Sequence, residues 1–130
     1  MKELTFYRCN HCGNLVVMIH DAGVNPVCCG VPMEKLEAGS VDAAVEKHVP
    51  VVEMGDSHIT VHVGEKDHPM EAEHLIEWIC YEQENGNFKV KYLKPGDKPE
   101  VVFGRCSKCA APHGIMYAYC NLHGLWKAEF

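Results

Sequence analysis

Four cysteines near the start of the chain constrain it more than any other feature: Cys9-x2-Cys12, then the adjacent pair Cys28–Cys29 after fifteen further residues. Around them, Gly13, Gly23, Gly30, Pro26 and Pro32 read as turns. A module of about residues 1–37 is too short to bury the apolar surface that folding needs. A metal crosslink would supply the missing stability. Four thiolates set a tetrahedral site, and the spacing is equally compatible with zinc and iron. The adjacent pair adds a condition. Successive residues of an extended chain point to opposite sides, so both sulfurs reach one ion only if the backbone bends between them. A simple disulfide pairing fits poorly, because adjacent cysteines make awkward partners and the expected compartment is reducing.

The whole chain of 130 residues carries eight cysteines and nine histidines. No apolar run is long enough for a secretion signal or a membrane span, so the chain is expected to be cytoplasmic. In that setting paired cysteines point to metal binding or redox chemistry rather than to a disulfide framework. The net charge is −6 and no basic block appears, which argues against nucleic acid and anionic membranes as partners.

A second module is expected over residues 38–130, with "LEAGSVDAAVEK" (36–47) reading as the linker and the approach to it. From Val49 onward, short alternating runs are punctuated by turns. "VPVVEM", "HITVHV", "HLIEWICYEQ", "NFKVKYL", "EVVFG", "IMYAYC" and "GLWKAEF" predict strands. Asn85–Gly86 and "KPGDKP" predict turns between them. Some seven short strands predict an antiparallel β-sandwich, so the fold class is all-β, with no strong helix and no internal repeat.

His48, His68, His74, Cys120 and His123 form a second candidate donor set. Each lies at a strand end or in a loop beside one, and the ends of a sandwich gather loops from distant sequence. Pro50 and Pro69 stiffen two of those loops. The bland alternatives are concrete: a lone histidine is usually a surface residue, and Cys120 alone reads as a small buried apolar side chain. His11, His20, His58, His62 and His113 are assigned to the surface class. Trp78 and Trp126 read as core or site-wall residues. Cys80 reads as core, on the same alternating face as Ile76 and Trp78.

The stretches "CNHCG", "VCCG", "EKHVPV", "HPMEAEHLIEWI" and "YCNLHGLWKAE" occur in this order, and together they resemble desulfoferrodoxin, the two-iron class of superoxide reductase. The first module is similar to desulforedoxin and the second to neelaredoxin. The resemblance spans essentially the whole chain. It implies a small Fe(Cys)4 domain over 1–37, held by Cys9, Cys12, Cys28 and Cys29. An immunoglobulin-like sandwich over 38–130 would then hold a second iron through His48, His68, His74, His123 and Cys120. In the family the four imidazoles lie in a plane, the thiolate is axial and the sixth position is open. The implied activity is one-electron reduction of superoxide to hydrogen peroxide without release of oxygen. Lys47 is the implied source of positive charge and protons. Glu46 matches a family glutamate that can occupy the sixth position. A rubredoxin-like electron donor and a homodimer are also implied.

Competing readings differ in what they require. A rubredoxin-like electron carrier would have a closed second site, a structural or sensor protein would hold zinc in both sites, and a dismutase would release oxygen. One departure from the family pattern is Cys106-x2-Cys109 in "GRCSKCAAPHG", which reads as a redox-sensitive pair, a weak extra metal pair or nothing.

Overall fold

The computed structural model describes residues 3–130. The chain divides between Glu37 and Ala38 into two compact units.

The first unit holds five short strands: β1 (Thr5–Arg8), β2 (Leu15–Met18), β3 (Val27–Cys28), β4 (Val31–Pro32) and β5 (Glu34–Lys35). The sheet order is β2-β1-β5, and β3-β4 form a separate hairpin. The sequence predicts turns throughout this unit, and "TFYR" and "LVVM" depart from that. They pair antiparallel from Thr5↔Met18 to Arg8↔Leu15. Four residues are too few for alternation to stand out from a turn-rich background. The two hairpins place their tips to useful effect. One tip carries Cys9 and Cys12, closed by Cys9 N–H donating to the Asn14 carbonyl at 2.8 Å. The other carries Cys28 and Cys29. Tyr7, Cys9 and Met33 form a small buried cluster, with Met18 and Cys28 packed at its edge, and Phe6 is buried as well.

The second unit is a short helical turn, α1 (Val45–His48), followed by seven strands: β6 (Pro50–Met54), β7 (His58–Val63), β8 (Ile76–Gln83), β9 (Phe88–Tyr92), β10 (Glu100–Gly104), β11 (Gly114–Cys120) and β12 (Gly124–Glu129). They form two antiparallel sheets, β10-β7-β6 and β12-β11-β8-β9. Side chains from both sheets meet in one core, among them Ile59, Val61, Phe103, Ile79, Tyr81 and Met116. This is an all-β sandwich, and α1 is its one helical element among the described residues. Four residues cannot carry helical periodicity, which explains why the sequence pattern does not reveal it.

Strand β8 corrects one expectation. Tyr119 pairs with Trp78 but Cys120 pairs with Ile76, so Glu77 is a bulge. A bulge inserts one residue and swaps the facing of the side chains beyond it. Ile76 therefore joins Ile79 and Tyr81 in the inter-sheet core, whereas Cys80 shares the outer face with Trp78. That outer face is also buried: Trp78, Cys80, Glu82, Tyr117 and Tyr119 are all shielded from solvent. The ring of Trp78 stacks on Tyr119 at 5.5 Å, and Tyr117 Oη donates to Glu82 Oε1 at 2.8 Å.

Strand β11 runs from one pole of the sandwich to the other. Its Cys120 end gathers α1, the 64–75 segment and the 121–123 turn. Its Gly114 end gathers the 55–57 turn, the 84–87 turn and the 105–113 loop. No helix among the described residues is long and apolar enough to cross a membrane.

Two candidate metal centres

In the first unit the sulfurs of Cys9, Cys12, Cys28 and Cys29 all lie within 4.8 Å of one another. Cys12 Sγ is 3.6 Å from Cys28 Sγ, and Cys28 Sγ is 3.9 Å from Cys29 Sγ. A tetrahedron with metal–sulfur bonds of about 2.3 Å has edges of roughly 3.7–3.8 Å, so the donor set fits such an ion. The bend demanded by the adjacent cysteines is present. Cys29 has φ 54° and is followed by Gly30 at φ 74°, and Cys29 is the one non-glycine with positive φ among the described residues. Left-handed backbone is costly for a side chain with a Cβ, but here it turns two successive sulfurs toward one point. Backbone N–H groups also aim at sulfur: Cys12 donates to Cys9 Sγ and Asn14 to Cys12 Sγ, each at 3.4 Å. The Cys12 N–H brings the Cys9 thiol down to about 6. The Cys29 thiol, hydrogen-bonded toward the Cys12 sulfur, is pushed up to about 12. Four crowded sulfurs resist ionising together, and a cation among them removes that conflict.

The second group sits at the Cys120 pole of the sandwich. His48 ends α1, His68 and His74 lie between β7 and β8, Cys120 ends β11, and His123 lies in the turn before β12. The donor atoms of His48, His68, His74 and Cys120 fall within 4.8 Å of one another. His123 completes the set, with Nδ1 3.1 Å from His48 Nε2 and 3.8 Å from Cys120 Sγ. The four imidazoles close a ring. His48–His68, His68–His74, His74–His123 and His123–His48 have centroid separations of 4.7, 4.8, 5.1 and 4.9 Å, with interplanar angles of 78°, 83°, 75° and 89°.

Tautomers show that this group fits a cation. His48 Nδ1 donates to the Ala44 carbonyl and His68 Nδ1 to the Pro69 carbonyl, both at 2.7 Å. Those bonds leave bare lone pairs on the two Nε2 atoms, which nonetheless face each other at 3.2 Å. Burial pushes both imidazoles toward the neutral form, His68 down to about 4, so neither ring readily supplies a bridging proton. The Nε2 of His74 is buried without a hydrogen-bond partner. Facing lone pairs and an orphaned nitrogen describe a ligand set, since adjacent nitrogens on a metal bound at about 2.1 Å lie roughly 3 Å apart. The sulfur of Cys120 is fully buried, and burial raises its thiol, while the Leu122 and His123 N–H groups aimed at it pull the other way. Two N–H donors suit a thiolate held by a metal.

Several residues outside the donor set support it. Gly64, at φ +83°, leaves no room for a Cβ: one built there lies 2.5 Å from the Lys66 carbonyl oxygen and 2.7 Å from backbone atoms of Glu46 and Lys47. Gly64 N–H donates to the Val49 carbonyl and Lys66 N–H to the Glu46 carbonyl, both at 3.1 Å. The turn bearing His48 is thereby pinned on both sides. Asn121 ties the His74 segment to the Cys120 turn. Its Oδ1 accepts from Leu75 N–H and its Nδ2 donates to the Glu73 carbonyl, both at 3.0 Å. Trp126 serves as a wall: its ring lies 4.9 Å from His48, and its Nε1 donates to the His123 carbonyl. The partners of Gly64 and Asn121 cannot be read from the sequence, whereas Trp126 stands where a core or site-wall residue is expected.

Glu46 and Lys47 are exposed on α1, immediately before buried His48. His48 and His68 are buried, whereas His74 and His123 are half-buried, so the group opens on one side. His11, His20, His58 and His113 are exposed, and His62 pairs with Glu53 and Glu100. Cys106 and Cys109 form a disulfide in an exposed loop.

Comparison with known proteins agrees with this division. Residues 1–36 match the family model "Desulfoferrodoxin, N-terminal domain", and residues 40–129 match "Desulfoferrodoxin". The desulfoferrodoxin of Nitratidesulfovibrio vulgaris is 49% identical over 128 residues, covering 98% of both chains. The crystal structure of the superoxide reductase from Treponema pallidum superposes with a TM-score of 0.78 at 35% identity, covering 98% of this chain and 99% of that one. The 1Fe superoxide reductase from Giardia intestinalis gives 0.56 at 27% identity, over 65% of this chain and 97% of its own. The chain belongs to the desulfoferrodoxin family.

Proposed function

We propose that this protein is a superoxide reductase, and that His48, His68, His74, His123 and Cys120 hold the iron at which superoxide is reduced. The observation that carries this reading is the ring of four imidazoles with facing lone pairs beside one buried sulfur. The family carries two iron sites, and the chain offers them a group of four cysteines and a group of four histidines with one cysteine. Iron bound in the second group would supply the single electron that superoxide takes up.

The chain's own residues do the rest. Carbonyl acceptors at Ala44 and Pro69 fix which nitrogens of His48 and His68 face inward. Neutral imidazoles add no charge, so one thiolate on a divalent ion leaves about +1 at the site, which attracts a small anion. The half-buried side, formed by His74 and His123, admits it. Reduction of superoxide to hydrogen peroxide takes one electron and two protons. The Lys47 ammonium, exposed one residue before His48, adds positive charge at the approach and holds a proton at Nζ. Glu46 is its exposed neighbour, and we assign its carboxylate the role of occupying the open side in the oxidised state.

We assign the four-cysteine group of the first unit an iron with a mainly structural role, and residues 1–37 and 38–130 the status of separate domains. The electron donor is of rubredoxin type, and the working form is a cytoplasmic homodimer. The exposed apolar side chains Ile19, Val24 and Val27 of the first unit support association.

The test uses reduced protein, an electron donor and a calibrated superoxide flux. One hydrogen peroxide formed per superoxide, with no oxygen, is expected. Half a peroxide and half an oxygen would make the protein a dismutase, and no acceleration over buffer would end the reading.

A further inference from the structure

Cys106 and Cys109 stand outside both metal-binding groups. They close a small ring across Ser107 and Lys108, with Cα atoms 5.3 Å apart, and both are exposed. Their loop lines a cleft of about 810 Å³ that Tyr81 and Lys89 also line.

The bridge is a poor structural staple. A disulfide stabilises chiefly by closing a long loop of the unfolded chain, and this one spans two intervening residues. The loop is also anchored without it. Arg105 N–H donates to the Ser57 carbonyl at 2.9 Å, Arg105 Nη1 to the Gly55 carbonyl at 3.1 Å, and Gly114 N–H to the Phe130 carbonyl at 3.0 Å. A turn bond from Cys109 N–H to the Cys106 carbonyl keeps the two residues close whether or not the sulfurs are joined. Exposed bridges are the ones that external thiols reach and reduce. Arg105 and Lys108 adjoin the pair in sequence, and Lys89 lines the same cleft together with one acid, Glu84; neighbouring cations favour a reactive thiolate.

The pair lies at the Gly114 pole, and Cys120 marks the other end of β11. Six residue steps along a strand separate the poles by roughly 20 Å, so only a diffusing species links the two sites. The reaction assigned above releases one: hydrogen peroxide.

We propose that Cys106 and Cys109 form a second redox site that consumes hydrogen peroxide through a dithiol–disulfide cycle. One thiolate attacks a peroxide oxygen. The O–O bond breaks, an S–O bond forms, and hydroxide leaves and is protonated to water. The second thiol attacks the sulfenic sulfur, the S–S bond forms, and the S–O bond breaks to release a second water. Two thiols and one peroxide give one disulfide and two waters, a balanced two-electron exchange. A dithiol reductant resets the pair by thiol–disulfide exchange. The source of the peroxide rests on the proposed function, whereas the chemistry of the pair does not.

The test has two arms, both on full-length iron-loaded protein reduced with dithiothreitol and desalted without oxygen. Differential alkylation and tryptic mapping report the linkage, since cleavage after Lys108 leaves two peptides joined only by the bridge. In the first arm, one equivalent of added hydrogen peroxide is expected to close the pair about tenfold or more faster than it oxidises glutathione at the same pH. The C106S or C109S variant should then retain a sulfenic acid on the remaining cysteine, captured by a sulfenic-acid-selective label. Oxidation no faster than glutathione, or a bridge that excess dithiothreitol leaves closed, would overturn the proposal. In the second arm a superoxide flux and an electron donor replace the peroxide, and the pair is expected to close as superoxide is consumed. Closure in the first arm but not the second keeps the redox pair and removes the assignment of peroxide production.

Discussion

The two units solve opposite problems with the same kind of residue. In the first, only a handful of buried side chains (Phe6, Tyr7, Cys9 and Met33) form the interior, and four sulfurs on two hairpin tips converge beside it. In the second, eleven buried residues from both sheets form the core, and five donors sit at its end. On the proposed reading, a metal in the first unit would organise the fold, whereas in the second the fold organises the donors. Size accounts for both: a unit of some 37 residues lacks the apolar area to fold by burial, and a sandwich of some ninety residues has it.

The strongest way to break this comparison is to remove metal from both sites and follow backbone amide exchange. Protection of Phe6, Tyr7 and Val17 in the β1–β2 pair should vanish, because a structural metal contributes on the order of 10 kcal/mol to a small module. Protection of Ile79 and Tyr117 should persist. Equal loss in both units would show that the sandwich also depends on its metal.

Acid sharpens the same contrast. Burial holds the His68 imidazole at about 4 against an ordinary 6.5, and His48 moves in the same direction. The unfolded chain therefore takes up these protons first as pH falls. The contribution of the neutral rings to stability is intact above about pH 6.5 and is lost as pH falls to about 4. Denaturation midpoints of metal-free protein across that window should decline in the second unit. A flat profile would show that the two rings are not held neutral.

A smaller effect is expected from Gly64→Ala. The added Cβ meets backbone of Glu46, Lys47 and Lys66, so the turn bearing His48 must shift, at a cost of about 1–3 kcal/mol. Superoxide reduction should slow while both sheets remain, and an unchanged rate would free the site from this support. The smallest effect is that of Lys47→Ala, which should lower the second-order rate with superoxide a few-fold and flatten its dependence on salt, with no change in stability. An unchanged salt slope would remove the steering role.

Legibility in the sequence was a matter of range. The strands of the sandwich announce themselves by alternation and by turns such as Asn85–Gly86, and β6–β12 fall where those signals lie. Strands β1, β2 and β5 and the turn α1 did not, since each is shorter than its own period needs. The bulge at Glu77 defeated the assignment of Cys80 beside Ile76, because register is a property of the paired strand rather than of the run itself. The donor residues were visible as motifs, but their meeting depends on Gly64, Asn121 and the carbonyls of Ala44 and Pro69. A carbonyl has no sequence signature, and Asn121 acts on residues 46 and 48 positions away.

The perpendicular packing of the four imidazoles has a mechanical consequence. Each ring stands nearly perpendicular to the next at about 5 Å, so a swing of one ring would crowd its neighbours. His48 is further packed against Trp126. The shape of the ring is thus set in part by ring-on-ring packing, and not by the ion alone.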